Sequence, residues 1–128
     1  MQAFEAIDFD KAILKHTGHN AAIVDQTVDH RLFKATLQAA LDNIREVFDE
    51  GNVANVLVVC TSGCHKSVSF ALVMEYILKQ LLYHTQVRHL SEGSWRPRGL
   101  CMSCTACDED NESKLKNFEM AARKMTEW

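Results

Sequence analysis

The stretch Asn55-Val56-Leu57-Val58-Val59-Cys60-Thr61-Ser62-Gly63-Cys64-His65-Lys66-Ser67-Val68 limits the architecture more than any other part of this chain. Residues 56–59 are apolar without alternation, the pattern of a strand covered on both faces. Beyond the loop, Phe70, Val73, Met74, Ile77, Leu78 and Leu81 recur at helical spacing, so the period changes across the loop. A strand, a glycine-containing loop and a helix start aim backbone N–H groups and a positive dipole end at one point, where an anion is favoured. The loop adds a thiol at Cys60, a cation at Lys66 and a hydroxyl at Ser67, in the spacing Cys-x5-Lys-Ser. No acidic residue lies between Thr61 and Ser67, and Gly63 permits close backbone approach. The same surroundings would favour the thiolate of Cys60.

The flanking segments extend this pattern. Residues 3–9 alternate through Phe4, Ala6 or Ile7, and Phe9, which predicts a first short strand with Asp8 and Asp10 near its end. Residues 15–20 are polar and centred on Gly18, so they read as a loop; His16 and His19 make it a candidate second wall of the site. Residues 29–50 form a long amphipathic helix through Leu32, Phe33, Leu37, Ala40, Leu41, Ile44, Val47 and Phe48, with Gly51 suited to a left-handed cap. A second helix is expected over 67–83 and a third, partly polar strand over 86–90. Strand–helix–strand–helix–strand with short links predicts an α/β fold. Residues 1–128 would form a single three-layer domain with a small, mainly parallel sheet, its ligand site beyond the strand ends. The chain closes on an amphipathic helix over 112–127, capped by Asp110 or Asn111, with Leu115, Phe118, Ala121, Ala122 and Met125 sharing a face.

Composition narrows the partners. With 128 residues, 47% hydrophobic and 24% charged, the chain can bury an ordinary core. A net charge of -3 gives poor support to nucleic-acid binding. No apolar run approaches the roughly 20 residues that a membrane span needs. The first residues lack the pattern of a signal peptide, so the expectation is a cytoplasmic protein.

Five cysteines, an odd number and tightly clustered, argue against a disulfide framework and for metal or thiol chemistry. Cys101-x2-Cys104-x2-Cys107, in a cysteine-rich loop over 96–110, has the spacing of tetrahedral zinc ligands. A closed site wants a fourth ligand, for which Cys64, His65 and His89 are candidates; Cys64 would tie the cysteine knuckle to the anion loop. An iron–sulfur cluster also needs four ligands, and a set of free thiols needs no metal. Trp95 could pack over the knuckle or stack on a sugar or base, and Arg96 and Arg98 could add an anion contact.

Val59-Cys60-Thr61-Ser62-Gly63-Cys64-His65-Lys66-Ser67-Val68, with Val87-Arg88-His89-Leu90 downstream and Thr17-Gly18 upstream, resembles the carboxyl-terminal domain of the RNase adapter protein RapZ. That family carries a Cys-Thr-Gly-Gly-x-His-Arg-Ser-Val loop after a buried strand and an Arg-His dipeptide on the next one. Cys60, Thr61, Gly63, His65, Ser67 and Val68 match; Ser62 replaces Gly, Lys66 replaces Arg, and Cys64 stands at the variable position. The resemblance implies an α/β fold, a phosphosugar such as glucosamine 6-phosphate as ligand, self-association and RNA binding. Its ligand contacts would be Thr61, Ser62, Gly63, Cys64, His65, Lys66 and Ser67, with Thr17, Gly18, Arg88 and His89. The function expected is therefore a sensor or adapter domain that binds a phosphorylated small metabolite, inorganic phosphate or sulfate. The loop also resembles the Cys-x5-Arg-Ser/Thr loop of cysteine-dependent phosphatases, in which Cys60 would be the nucleophile. Lys66 there lacks the planar fork that grips phosphoryl oxygens. A zinc-stabilised interaction module is the third expectation.

Overall fold

Helix boundaries in this chain follow from a few capping groups and the apolar period between them. The computed structural model describes residues 15–51, 53–58, 65–101, 104–109 and 111–125. Helix α1 spans Ala21–Asp29. Asn20 starts it: its backbone is extended and its side-chain oxygen accepts from the N–H of Ala22 at 2.9 Å. Ile23, Val24, Thr27 and Val28 form its buried stripe, and the Thr27 hydroxyl donates to the Ile23 carbonyl at 2.8 Å, so no polar atom is stranded.

Helix α2 spans Phe33–Asp49, inside the expected 29–50, and Gly51 beyond it takes the left-handed conformation (φ 77°). Helix α3 spans Lys66–Gln80. It ends in a Schellman arrangement, with Leu82 N–H donating to the Lys79 carbonyl and Tyr83 N–H to that of Leu78. Here the left-handed position is filled by Leu82 (φ 67°), whose side chain is 93% exposed. Helix α4 spans Glu112–Met125, and the Asn111 side chain accepts from the Lys114 N–H at 3.1 Å as its cap.

The four helices pack on one another, α1 lying against α2, α3 and α4. Their shared core is Val24 and Val28 of α1, Phe33, Leu37, Leu41 and Ile44 of α2, Phe70, Val73, Met74, Ile77 and Leu78 of α3, and Phe118, Ala121 and Met125 of α4. Phe33 and Phe70 meet edge to face at 6.0 Å between ring centroids. A second, much smaller apolar cluster joins Val68 to Trp95, with Leu72 and Leu100 against it. No helix among the described residues is long and apolar enough to cross a membrane.

The expected α/β fold with a parallel sheet is not found: among the described residues there is no strand, and the fold is helical. The one β-bridge described pairs His16 with Cys101 in parallel. In the 56–59 run, Val56 and Leu57 are exposed rather than covered, and only Ala54 and Val58 of the neighbouring extended segment touch the helical core. A continuous apolar run by itself fixes neither burial nor strand pairing. Here four amphipathic helices close the core on each other, and residues 53–57 lie along α2. Residues 86–90 form no strand: 86–89 carry no regular structure and Leu90 lies in a turn. The expected strand over 3–9 lies outside the described residues.

Candidate metal centre

The chain after Trp95 is folded so that three thiols converge. Trp95 is fully buried, and its ring N–H donates to the Ser91 hydroxyl at 3.1 Å. Leu100 N–H returns to the Trp95 carbonyl at 3.1 Å, and Gly99 (φ 72°) makes the reversal. The turn delivers Cys101, whose N–H donates to the Lys15 carbonyl at 2.7 Å and so sets His16 beside it. A 3-10 turn over Thr105–Cys107 then folds Cys107 back over Cys104, with Cys107 N–H on the Cys104 carbonyl at 2.9 Å.

One donor atom from each of His16, Cys101, Cys104 and Cys107 lies within 4.8 Å of all the others. The Cys104 and Cys107 sulfurs are 3.4 Å apart, and His16 Nδ1 stands 3.4 Å from Cys107 Sγ and 3.7 Å from Cys104 Sγ. Tetrahedral zinc, with Zn–S of about 2.3 Å and Zn–N of about 2.0 Å, requires sulfur–sulfur edges of about 3.8 Å and sulfur–nitrogen edges of about 3.5 Å. The four residues are thus positioned to hold one metal ion. In a [4Fe–4S] cluster each thiolate binds a different iron, which would hold the sulfurs further apart than this.

Burial pushes the Cys107 thiol up to about 12, and the neighbouring Cys104 thiol adds to the rise. Holding a thiolate there therefore needs a positive partner at close range. The Asn20 side-chain amide donates to Cys107 Sγ at 3.5 Å, so the residue that caps α1 also touches a ligand atom.

Of the residues that sequence singles out for metal, Cys101, Cys104 and Cys107 come together. Cys64 lies outside the described residues. The donor set contains neither His65 nor His89. His65 is buried at the start of α3. His89 faces His19 at 5.0 Å and Trp95 at 5.5 Å between ring centroids. The fourth donor, His16, belongs to the loop read only as a wall of an anion site. No spacing rule reaches a ligand so remote in sequence; the signal was two histidines in a glycine-centred loop.

The anion-site residues divide differently. Cys60, Thr61, Ser62 and Gly63 lie outside the described residues. Thr17 is fully buried, and Gly18 is seated on the first turn of α3: a Cβ there would collide with the His65 carbonyl and the Ser69 N–H. Ser69 Oγ donates to the Gly18 carbonyl at 2.7 Å. Thr17 and Gly18 thus meet the turn that carries His65, Lys66 and Ser67, whereas Arg88 is exposed. His19 is lowered to about 4, chiefly by burial and then by His89 and Lys114; His89 is lowered too, by burial, against the pull of Glu92 and Glu75. No protein-family model matches this chain, nor does any curated protein or solved structure.

Proposed function

We propose that this chain is a zinc-stapled helical binding module in which His16, Cys101, Cys104 and Cys107 hold one zinc ion structurally. The observation that carries this reading is the four-donor set, all within 4.8 Å of one another, with Cys104, Cys107 and His16 at 3.4 to 3.7 Å. Three thiolates and an imidazole suit zinc in both softness and geometry. Four protein donors fill a tetrahedral shell and leave no position for a reacting water, which favours a structural over a catalytic metal. The ion would fasten the loop before α1 to the segment after Trp95, where little apolar surface is available to do so. Purified chain should carry close to one zinc per molecule, and a strong chelator should lower its melting temperature. Less than about half an equivalent, or a melting temperature indifferent to chelator, contradicts the reading.

The seating of Gly18 on the start of α3 favours a second reading, binding of a phosphorylated small metabolite beside Lys66 and Ser67. Glucosamine 6-phosphate or inorganic phosphate should then raise the melting temperature, and Lys66→Ala should abolish the rise. Hydrolysis of an aryl phosphate that disappears in Cys60→Ser would turn that binding site into an enzyme. No shift with phosphosugar, phosphate or sulfate removes it.

A further inference from the structure

Lys114 is anomalous for its place in the helix. It lies on the first turn of α4, where sequence assigns the buried face to Leu115, yet Lys114 is 2% exposed and Leu115 is 40% exposed. Its Nζ donates to the backbone carbonyl of His19 at 2.9 Å, a neutral acceptor. Burying an ammonium group is costly unless an opposite charge faces it. Burial lowers the Lys114 pKa, and the charges that oppose this are Cys107 first, then Glu109 and Asp108. Both carboxylate residues are exposed, so water screens them; Cys107 is buried.

Resting on the zinc reading above, we propose that Lys114 is the countercharge of the metal centre. One divalent ion with three thiolates and a neutral imidazole leaves a net charge of one negative unit in a buried setting. Lys114 supplies the matching positive unit from α4, held on the loop that also carries His16 and the Asn20 amide that touches Cys107. It does so from a fixed position, because its ammonium is held on the His19 carbonyl, three residues from the ligand His16. Asn20 completes the surround by donating to Cys107 Sγ from the same loop. Lys114 is therefore a positioning residue: it touches no metal, but it stabilises the charge that the ligands acquire when they bind one. The arrangement also explains why α4 buries a lysine in preference to a leucine at its amino-terminal end, where a helix dipole alone would disfavour a cation.

The test is zinc affinity of the full chain, read by competition against a chromophoric chelator. Wild type is measured first; if it holds no zinc, the metal reading itself fails and the role of Lys114 falls with it. Where wild type binds, Lys114→Met should weaken zinc binding by about 10- to 100-fold, the usual effect of losing an outer-shell partner. Lys114→Arg, which keeps the charge, should stay within a few-fold of wild type. Equal affinity in wild type and Lys114→Met, or equal losses in the Met and Arg variants, overturns the proposal. Should Lys114→Met fail to fold, the same substitution is made with Cys104→His, whose two-thiolate centre carries no net charge. There it is expected to bind zinc at least as well as its parent, and a repeated loss overturns the proposal.

Discussion

Around Phe33 and Phe70, apolar side chains from all four helices enclose one another, and the stability of that region scales with the area they hide from water. At the cysteine end the apolar cluster among the described residues has just Val68 and Trp95 buried, and the groups that meet are an imidazole, three thiols, an amide and an ammonium. Apolar packing tolerates many side chains of about the right volume. A cluster of polar donors does not, because each buried group left without its partner costs free energy on its own account. The two ends are joined by short links: Asn20 caps α1 and touches Cys107, and Lys114 of α4 holds the His19 carbonyl. One end should therefore fail gradually under mutation, and the other all at once.

The largest effect expected is at the cysteine end. Cys107→Ser should abolish stoichiometric zinc and erase the near-ultraviolet signal of Trp95, while far-ultraviolet circular dichroism keeps much of its helical intensity. Structural zinc sites in small domains are worth about 10–16 kcal/mol of apparent binding free energy, so nothing local can replace the ion. Loss of all helical signal together with the zinc would show that the two ends do not differ as described. Next, Phe70→Ala should cost about 3–5 kcal/mol in urea unfolding, as a fully buried aromatic does, yet leave zinc at one equivalent in the folded chain. Zinc lost in step with that destabilisation would break the distinction from the other side.

A smaller effect is expected from pH. His19 titrates near 4 in the folded chain, mainly because it is buried, against an ordinary value of 6.5. The unfolded chain therefore binds more protons below 6.5, and this contribution to stability is present above 6.5 and lost as the pH falls towards 4. Urea midpoints of zinc-saturated wild type and His19→Gln, compared at pH 7 and pH 5, should converge as the pH falls. A constant gap would place the ring in water. The smallest effect is a gain. Leu82, exposed and in the left-handed conformation, contacts too little to repay its strain, so Leu82→Gly should stabilise the chain by about 0.5–1 kcal/mol with zinc affinity unchanged.

Much of the helical end could be read from sequence, because its signal is periodic. Leu37, Leu41 and Ile44 mark α2, Phe70, Val73 and Ile77 mark α3, and each recurs at the helical repeat. Helix α1 escaped, being short and carrying Thr27 inside its buried stripe; its one local sign was Asn20 ahead of an apolar run. The expected sheet fails at residues 56–59 because apolarity alone does not say that a segment is covered: Val56 and Leu57 are exposed. At the cysteine end, three ligands were legible from the spacing of Cys101, Cys104 and Cys107. His16 and Lys114 were not, since each acts through a contact that chain order does not encode.

X-ray absorption at the zinc edge of the purified chain tests the central claim most directly. Three sulfurs at about 2.3 Å and one imidazole nitrogen at about 2.0 Å are predicted. Four sulfurs would put a further cysteine in place of His16, and a shell of oxygen and nitrogen alone would contradict the site altogether.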